Sequence, residues 1–400
     1  MQNLLVLCQA IKTSFTGLDG AAVFETKMLG FLKPGVTRVK RTFARKRFKS
    51  FRKKSNVTQI GQEYSPSWVH SHAAQDLSPR NAFDPSDVTG WQSKSRKKLR
   101  ELLKIPSFPI NAAPEEVWTA TDDRGIYKKV LLLGEYESRI PIYVCSPRST
   151  ETVQGTVICL QGHTSGMHNS LGVRLDHEER ALNVPVGRDL VNWCFANNFS
   201  AVCLEQRCFG ERSERIQKKR SPHPCHDTAM RALLLGRTLM GERIADLEVC
   251  IRYVQENCAL QYPIGIVGNS LGGTLAVYAL AVLDDVQFSV AGSCTSTLDK
   301  SIGNIYHCTD LYIPQLREFF EFSDIVGLAA PKPLILVQGI DDPIFPYDGL
   351  KEVEAEVGRI YDLLGASDRF IVKVGQGGHR FYPDLASQGL SEIFNSAHQF

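Results

Sequence analysis

Residues 264–273 read IGIVGNSLGG, and the role of Ser270 decides what surrounds it. Serine is a common helix N-cap and Gly-x-Ser-x-Gly arises by chance, so the motif alone fits a cap or a nucleophile. The flanks narrow the choice. IGIVG is a short apolar run of strand type, and LGGTLAVYALAVL (271–283) is apolar nearly all round, as in a helix buried at a domain centre. The segment thus reads as strand, tight turn, buried helix. Gly268 and Gly272, two positions either side of Ser270, supply the small residues that a sharp strand-to-helix turn needs where its backbone nears its neighbours.

A serine hydroxyl needs a histidine to take its proton and a carboxylate to orient that histidine. On this type of turn both follow in the order Ser, Asp, His. After the strand-like PLILVQG comes IDDPIFP, with Asp341 and Asp342; the acid three residues past the closing glycine is Asp342. After the next strand-like run, RFIVKVGQGGHRFY places His379 in a glycine-rich turn. An oxyanion would need two backbone donors. Leu271, opening the buried helix, is one; Gly162, His163 or Thr164 in GHTSG is the other, with His163 preferred.

Outward from this centre, strands and helices alternate. A helical stretch, SRKKLRELLKI (95–105), precedes two β-rich runs at 124–133 and 138–147 that read as an antiparallel hairpin around GEYE. Then come TVICLQ, a helix near 187–197, AVCLEQ, a long helix near 227–257, IGIVG and its helix, FSVAGSC, PLILVQG, a helix near 347–364, RFIVKVG and a final helix. Such alternation predicts a mostly parallel sheet covered on both faces. Within the long helix, Met240, Ile244, Leu247, Ile251 and Val254 form an apolar stripe opposed by Glu242, Arg243, Asp246, Glu248 and Arg252.

Composition agrees with a globular protein: 43% hydrophobic and 22% charged residues in 400. No apolar run approaches the roughly 18 to 20 residues that span a bilayer. The first fifteen residues carry no basic leader or small-residue cleavage site, so no secretory signal is read there. Eleven cysteines are scattered, several in apolar runs, as expected of reduced core thiols in a cytoplasmic protein. The formal charge of +3 is uneven: residues 38–54 hold ten lysines and arginines and no acid, leaving the rest net acidic. Residues 1–95 read as a basic, partly disordered extension that could touch an anionic surface through 38–54, and residues 96–400 as the catalytic domain. Cys203, Cys208, His223, Cys225 and His226 match no familiar zinc spacing, and the triad needs no metal. Arg207 and Arg212 could steady a loop beside the oxyanion or form surface pairs. Residues 165–187 form a long connection suited to lining a pocket; its His168 and His177 read as solvated loop residues.

From about residue 100 onward, VICLQGH, EQRCFGER, LLLGRTLMGERIADLEV, IGIVGNSLGG, LAAPKPLILVQGIDDPIFP and VGQGGHRFY together resemble the α/β-hydrolase fold, in its dienelactone-hydrolase and acetyl-xylan-esterase-like branch. The resemblance implies a serine hydrolase of carboxylic esters of short acyl groups, with no cofactor or metal. It carries over Ser270, Asp342 and His379 as triad and Leu271 with His163 as oxyanion donors. Thioesters and amides are the alternative substrates on the same triad, a non-catalytic binding protein the remaining one.

Overall fold

The computed structural model describes residues 62–108, 114–149, 153–163, 166–175, 181–183, 187–214, 224–258 and 262–396. The basic block 38–54, Thr164, His177 and His223 lie outside them. The chain divides into two compact units. In the smaller, a 3-10 turn (Gln62–Tyr64) leads into helix α1 (Pro66–Gln75), which has proline in its first turn and no buried residue. The described part of the larger runs from Ser78 onward.

The larger unit opens on α2 (Val88–Leu103), capped by the Asp87 carboxylate accepting from Gly90 N–H. It starts seven residues ahead of the helical stretch read from sequence, and Trp91 and Asn81 are already buried upstream of residue 96. Strands β1 (Glu115–Thr121), β2 (Gly125–Leu133) and β3 (Arg139–Pro147) form an antiparallel edge. The sequence showed β2 and β3 as a hairpin but not β1, whose EEVWTAT is largely exposed and carries weak patterning.

The remaining sheet strands are β4 (Thr156–Leu160), β7 (Ser200–Leu204), β8 (Ile264–Asn269), β9 (Phe288–Gly292), β10 (Leu334–Gly339) and β11 (Phe370–Gly375). A separate small ribbon pairs β5 (Val173–Leu175) with β6 (Ala181–Asn183), inside the long connection. The nine-stranded sheet runs β1-β2-β3-β7-β4-β8-β9-β10-β11, antiparallel as far as β7 and parallel beyond it. Side-chain alternation explains why both faces are covered. In β4, Ile158 and Leu160 enter one core while Val157 and Cys159 enter the other; in β10, Leu334 and Leu336 part likewise from Ile335 and Val337.

One face carries α2, α5 (Leu239–Asn257), α6 (Leu271–Val282), α8 (Phe322–Gly327) and α9 (Tyr347–Leu363); the other carries α3 (Leu190–Ala196) and α10 (Pro383–Ser396). The long helix expected near 227–257 is two, because Gly236 adopts a positive φ of 69° between α4 (Pro224–Leu234) and α5. Thr238 then caps α5 by accepting from Gly241 N–H. The four-residue α7 (Leu316–Phe319) lies before α8.

Every residue of α6 is buried. Its packing is set by Gly272, where a Cβ would lie 2.1 Å from the Leu160 carbonyl oxygen of β4. Gly272→Ala must therefore push α6 off the sheet, and we expect loss of soluble, cooperatively folding protein. Gly358 in α9 has open space around its Cα, so Gly358→Ala should stabilise by about 0.5–1 kcal/mol in urea unfolding.

Candidate active site

Ser270 sits between β8 and α6 with φ 55° and ψ −123°, outside the regions an L-residue favours. Conformations of this kind cost about 1–3 kcal/mol and persist only where the surroundings enforce them. Two close approaches do so. A Cβ on Gly268 would stand 2.2 Å from the Gly272 carbonyl oxygen, and Gly272 itself is pressed on β4. Ser270 N–H donates to Gly292 O at 2.8 Å, tying the turn to β9. The hydroxyl does not cap α6. Its Oγ lies 2.9 Å from His379 Nε2 instead.

His379 Nδ1 lies 2.8 Å from Asp342 Oδ2. The other oxygen, Asp342 Oδ1, accepts the N–H groups of Ile344 (2.9 Å) and Phe345 (3.0 Å), so the carboxylate is held on both sides. Asp342 is buried, whereas Asp341 is an exposed neighbour whose N–H donates to Gly377 O. The acid and histidine loops are pressed together: a Cβ on Gly339 would meet the carbonyl oxygens of Gly377 and Gly378 within 2.4 Å. Ser293 Oγ donates to Arg380 O (2.7 Å) and Tyr382 OH to Gly378 O (2.8 Å), fixing the histidine turn. Phe345 stacks beside the imidazole, ring centroids 6.0 Å apart at 19°. Nothing in the spacing of IDDPIFP singled out that contact.

Leu271 is the first residue of α6, so its N–H has no carbonyl a turn earlier within the helix. Across from it, a Cβ on Gly162 would be 3.0 Å from Ser270 Cβ, which places the start of GHTSG against the Ser270 turn. The His163 side chain turns toward Asp310, Nε2 to Oδ2 3.1 Å. Gln161, Arg188, Asn269, Ile344, Arg380 and Phe381 complete the cleft over Ser270, His163 and His379.

Behind the cleft lies a buried ionic layer. Arg207 grips Asp246 through Nε (2.8 Å) and Nη2 (3.0 Å) and Glu242 through Nη1 (2.8 Å). Arg212 Nη1 adds a 2.7 Å contact to Asp246. Arg243 Nη1 donates to Asp310 Oδ2 (2.8 Å) and Nη2 to Arg207 O (3.0 Å). The charged stripe of α5, opposite its apolar one, is thus buried at its N-terminal half, with Arg243 and Asp246 each 1% exposed. Arg207 and Arg212 clamp the loop after β7 to α5, not the surface. Burial would raise the Asp310 carboxyl, but Arg243 and His163 beside it outweigh that and hold it well below the usual carboxylate range.

Glu205 joins the loops after β4 and β7, accepting from Met167 N–H (3.0 Å) and Glu211 N–H (3.2 Å). Burial first, opposed by the backbone donors and reinforced by the Glu211 charge, pushes its carboxyl up to about 8. His168, read as a solvated loop residue, is buried with Nδ1 2.8 Å from Tyr143 OH, and burial pushes it down to about 3. Of the cysteine and histidine set weighed for zinc, Cys203 faces the core of the opposite sheet face and His226 lies 3.4 Å from Asp227. Among the described members of that set, Cys225 stands with His163, Cys308 and Asp310.

A mixed sheet in this strand order, with a serine turn after β8, an acid after β10 and a histidine after β11, is the α/β-hydrolase fold. Comparison with known proteins agrees on the fold. No protein-family model matches the chain. It is 25% identical over 295 residues to YtaP of Bacillus subtilis (strain 168), named a putative hydrolase, covering 72% of this chain and 94% of that one. Its structure is similar to that of a putative acetyl xylan esterase from Bacteroides fragilis NCTC 9343, with 19% identity, a TM-score of 0.63 and coverage of 79% and 84%. A glucuronoyl esterase from Solibacter usitatus is similar at 12% identity, TM-score 0.55 and coverage of 76% and 94%.

Two outcomes follow from the acid loop and from Glu205. Asp342→Asn should lower kcat about 10⁴-fold with any accepted ester, while Asp341→Asn stays within a few-fold. The Glu205 carboxyl, with a folded pKa above its unfolded one, gives stability that is complete below about 4.5 and lost as pH rises to about 8. Glu205→Gln should flatten the fall in melting temperature across that window.

Proposed function

We propose that the chain is a serine esterase. The observation that carries this reading is the relay Ser270 Oγ, His379 Nε2, His379 Nδ1, Asp342 Oδ2, at 2.9 and 2.8 Å, on a serine whose hydroxyl caps no helix. Ser270 Oγ attacks the ester carbonyl as His379 takes its proton; the imidazolium is stabilised by Asp342. The tetrahedral oxyanion is received by the N–H groups of Leu271 and His163. His379 returns the proton to the departing alcohol oxygen, leaving an acyl-enzyme on Ser270. Water, deprotonated by the same imidazole, releases the acid.

The lining favours short acyl groups on a polar alcohol. Among the described residues that line the cleft around Ser270, Ile344 and Phe381 are the large apolar side chains, beside two arginines, a glutamine and an asparagine. A long acyl chain would bury little apolar surface there. The names of the similar proteins, an acetyl xylan esterase and a glucuronoyl esterase among them, support a carboxylic ester as substrate. We read the catalytic domain, expected at 96–400, as reaching back to Ser78, and the segment ahead of it as an extension whose basic residues at 38–54 offer a contact to an anionic surface. Among the described residues no helix is long and apolar enough to cross a membrane. The cysteines described there are mostly buried thiols, which supports a reducing compartment such as the cytoplasm.

On p-nitrophenyl esters, activity should be greatest for acetate and fall at least tenfold by decanoate, a difference of ~1.4 kcal/mol or more. Ser270→Ala should lose several orders of magnitude in kcat and all labelling by a fluorophosphonate, with its melting temperature kept. Full activity in Ser270→Ala would remove this mechanism, and faster cleavage of acyl thioesters or aminoacyl amides than of esters would shift the substrate class.

A further inference from the structure

Beside the cleft stands a second cluster whose side chains ester hydrolysis does not use. His163 follows β4, Cys225 lies in the first turn of α4, and Cys308 and Asp310 share one turn. One donor atom from each lies within 4.8 Å of all the others. Donors around a tetrahedral zinc ion stand about 3.3 to 3.8 Å apart. A shift of about an ångström would close these four on one ion. Asp310 supplies an independent sign. It is 1% exposed, and Oδ2 is taken by Arg243 and His163, yet the buried Oδ1 has no hydrogen-bond partner among the described residues. An unsatisfied buried carboxylate oxygen is costly and calls for a cation or donor.

We propose that His163, Cys225, Cys308 and Asp310 form a zinc site. Two thiolates, an imidazole and a carboxylate are the donors that borderline-soft zinc prefers over magnesium or calcium. The charge closes as well. Two thiolates and Asp310 carry three negative charges, and zinc with Arg243, whose Nη2 lies 3.8 Å from Cys225 Sγ, carries three positive ones. On binding, both thiol protons leave to solvent as the two S–Zn bonds form, and no group is oxidised or reduced. His163 exchanges its contact with Asp310 for the metal as a neutral imidazole, while Asp310 keeps Arg243 on Oδ2 and offers Oδ1. With four protein ligands no coordination position stays open, which makes the site structural. It fixes the side chain of the residue proposed to donate to the oxyanion; that consequence alone rests on the esterase reading.

The test is metal binding by the full chain, stripped with a chelator and titrated with Zn²⁺ and with Co²⁺. One equivalent should bind, and cobalt should give a thiolate-to-metal absorption band that zinc abolishes. Cys308→Ser should weaken binding roughly 100-fold, and Cys258→Ser, a half-buried thiol elsewhere, should not change it. In the unmodified chain, zinc should protect Cys225 and Cys308 from alkylation, a measurement that needs no variant. Ser270→Ala should bind zinc as tightly as the parent, so loss of esterase activity and loss of metal are read apart. Absence of the thiolate band, equal alkylation with and without zinc, or a Cys225–Cys308 disulfide as the only change would overturn the site.

Discussion

The arrangement depends on one unfavourable backbone conformation, that of Ser270. A residue at φ 55° and ψ −123° does not rest there unaided. It is kept by the contact of Gly268 with the Gly272 carbonyl and of Gly272 with the Leu160 carbonyl, each too close for any side chain. Those contacts bring α6 flush against β4 and β8, and so aim the hydroxyl out of the sheet toward His379. Relaxing the turn would return Ser270 to the ordinary business of capping a helix. The same glycines thus carry both the packing of the domain centre and the exposure of the hydroxyl.

A second layer holds the loops that face the serine. Asp246 takes two arginines, Glu242 assists, and Arg243 reaches Asp310, all beneath the cleft. Buried charges of this kind stabilise little against an apolar substitute, but breaking one partner leaves an uncompensated charge at a cost of about 3–5 kcal/mol. Their effect is geometric. They fasten the loop after β7 and the turn at 308–310 to α5, and so set the far wall of the site.

Much of this was legible in the chain. The strand alternation gave the parallel part of the sheet because buried strands and covering helices leave strong, distinct periodicities. IGIVGNSLGG, IDDPIFP and GQGGHRFY stood out because a sharp turn, a held carboxylate and a histidine loop each need a particular residue at a particular offset. Other features left weaker traces. The exposed β1 has little pattern, and the glycine break before α5 is hidden within a continuous helical run. The burial of the charged stripe of α5 left no trace, because a stripe of charges reads the same whether water or opposite charges cover it. Asp310 and Cys308 lie in an irregular loop some 145 residues beyond His163, and only the fold brings them together.

The claim at the centre is that Ser270 carries the acyl group. Brief incubation with a slowly turned-over acetyl ester, acid quench and peptide mass spectrometry measures this directly. The account predicts a single acetyl adduct on the peptide containing GNSLGG, located at Ser270 and lost on longer incubation. Turnover with no adduct there, or an adduct on another nucleophile, would contradict it.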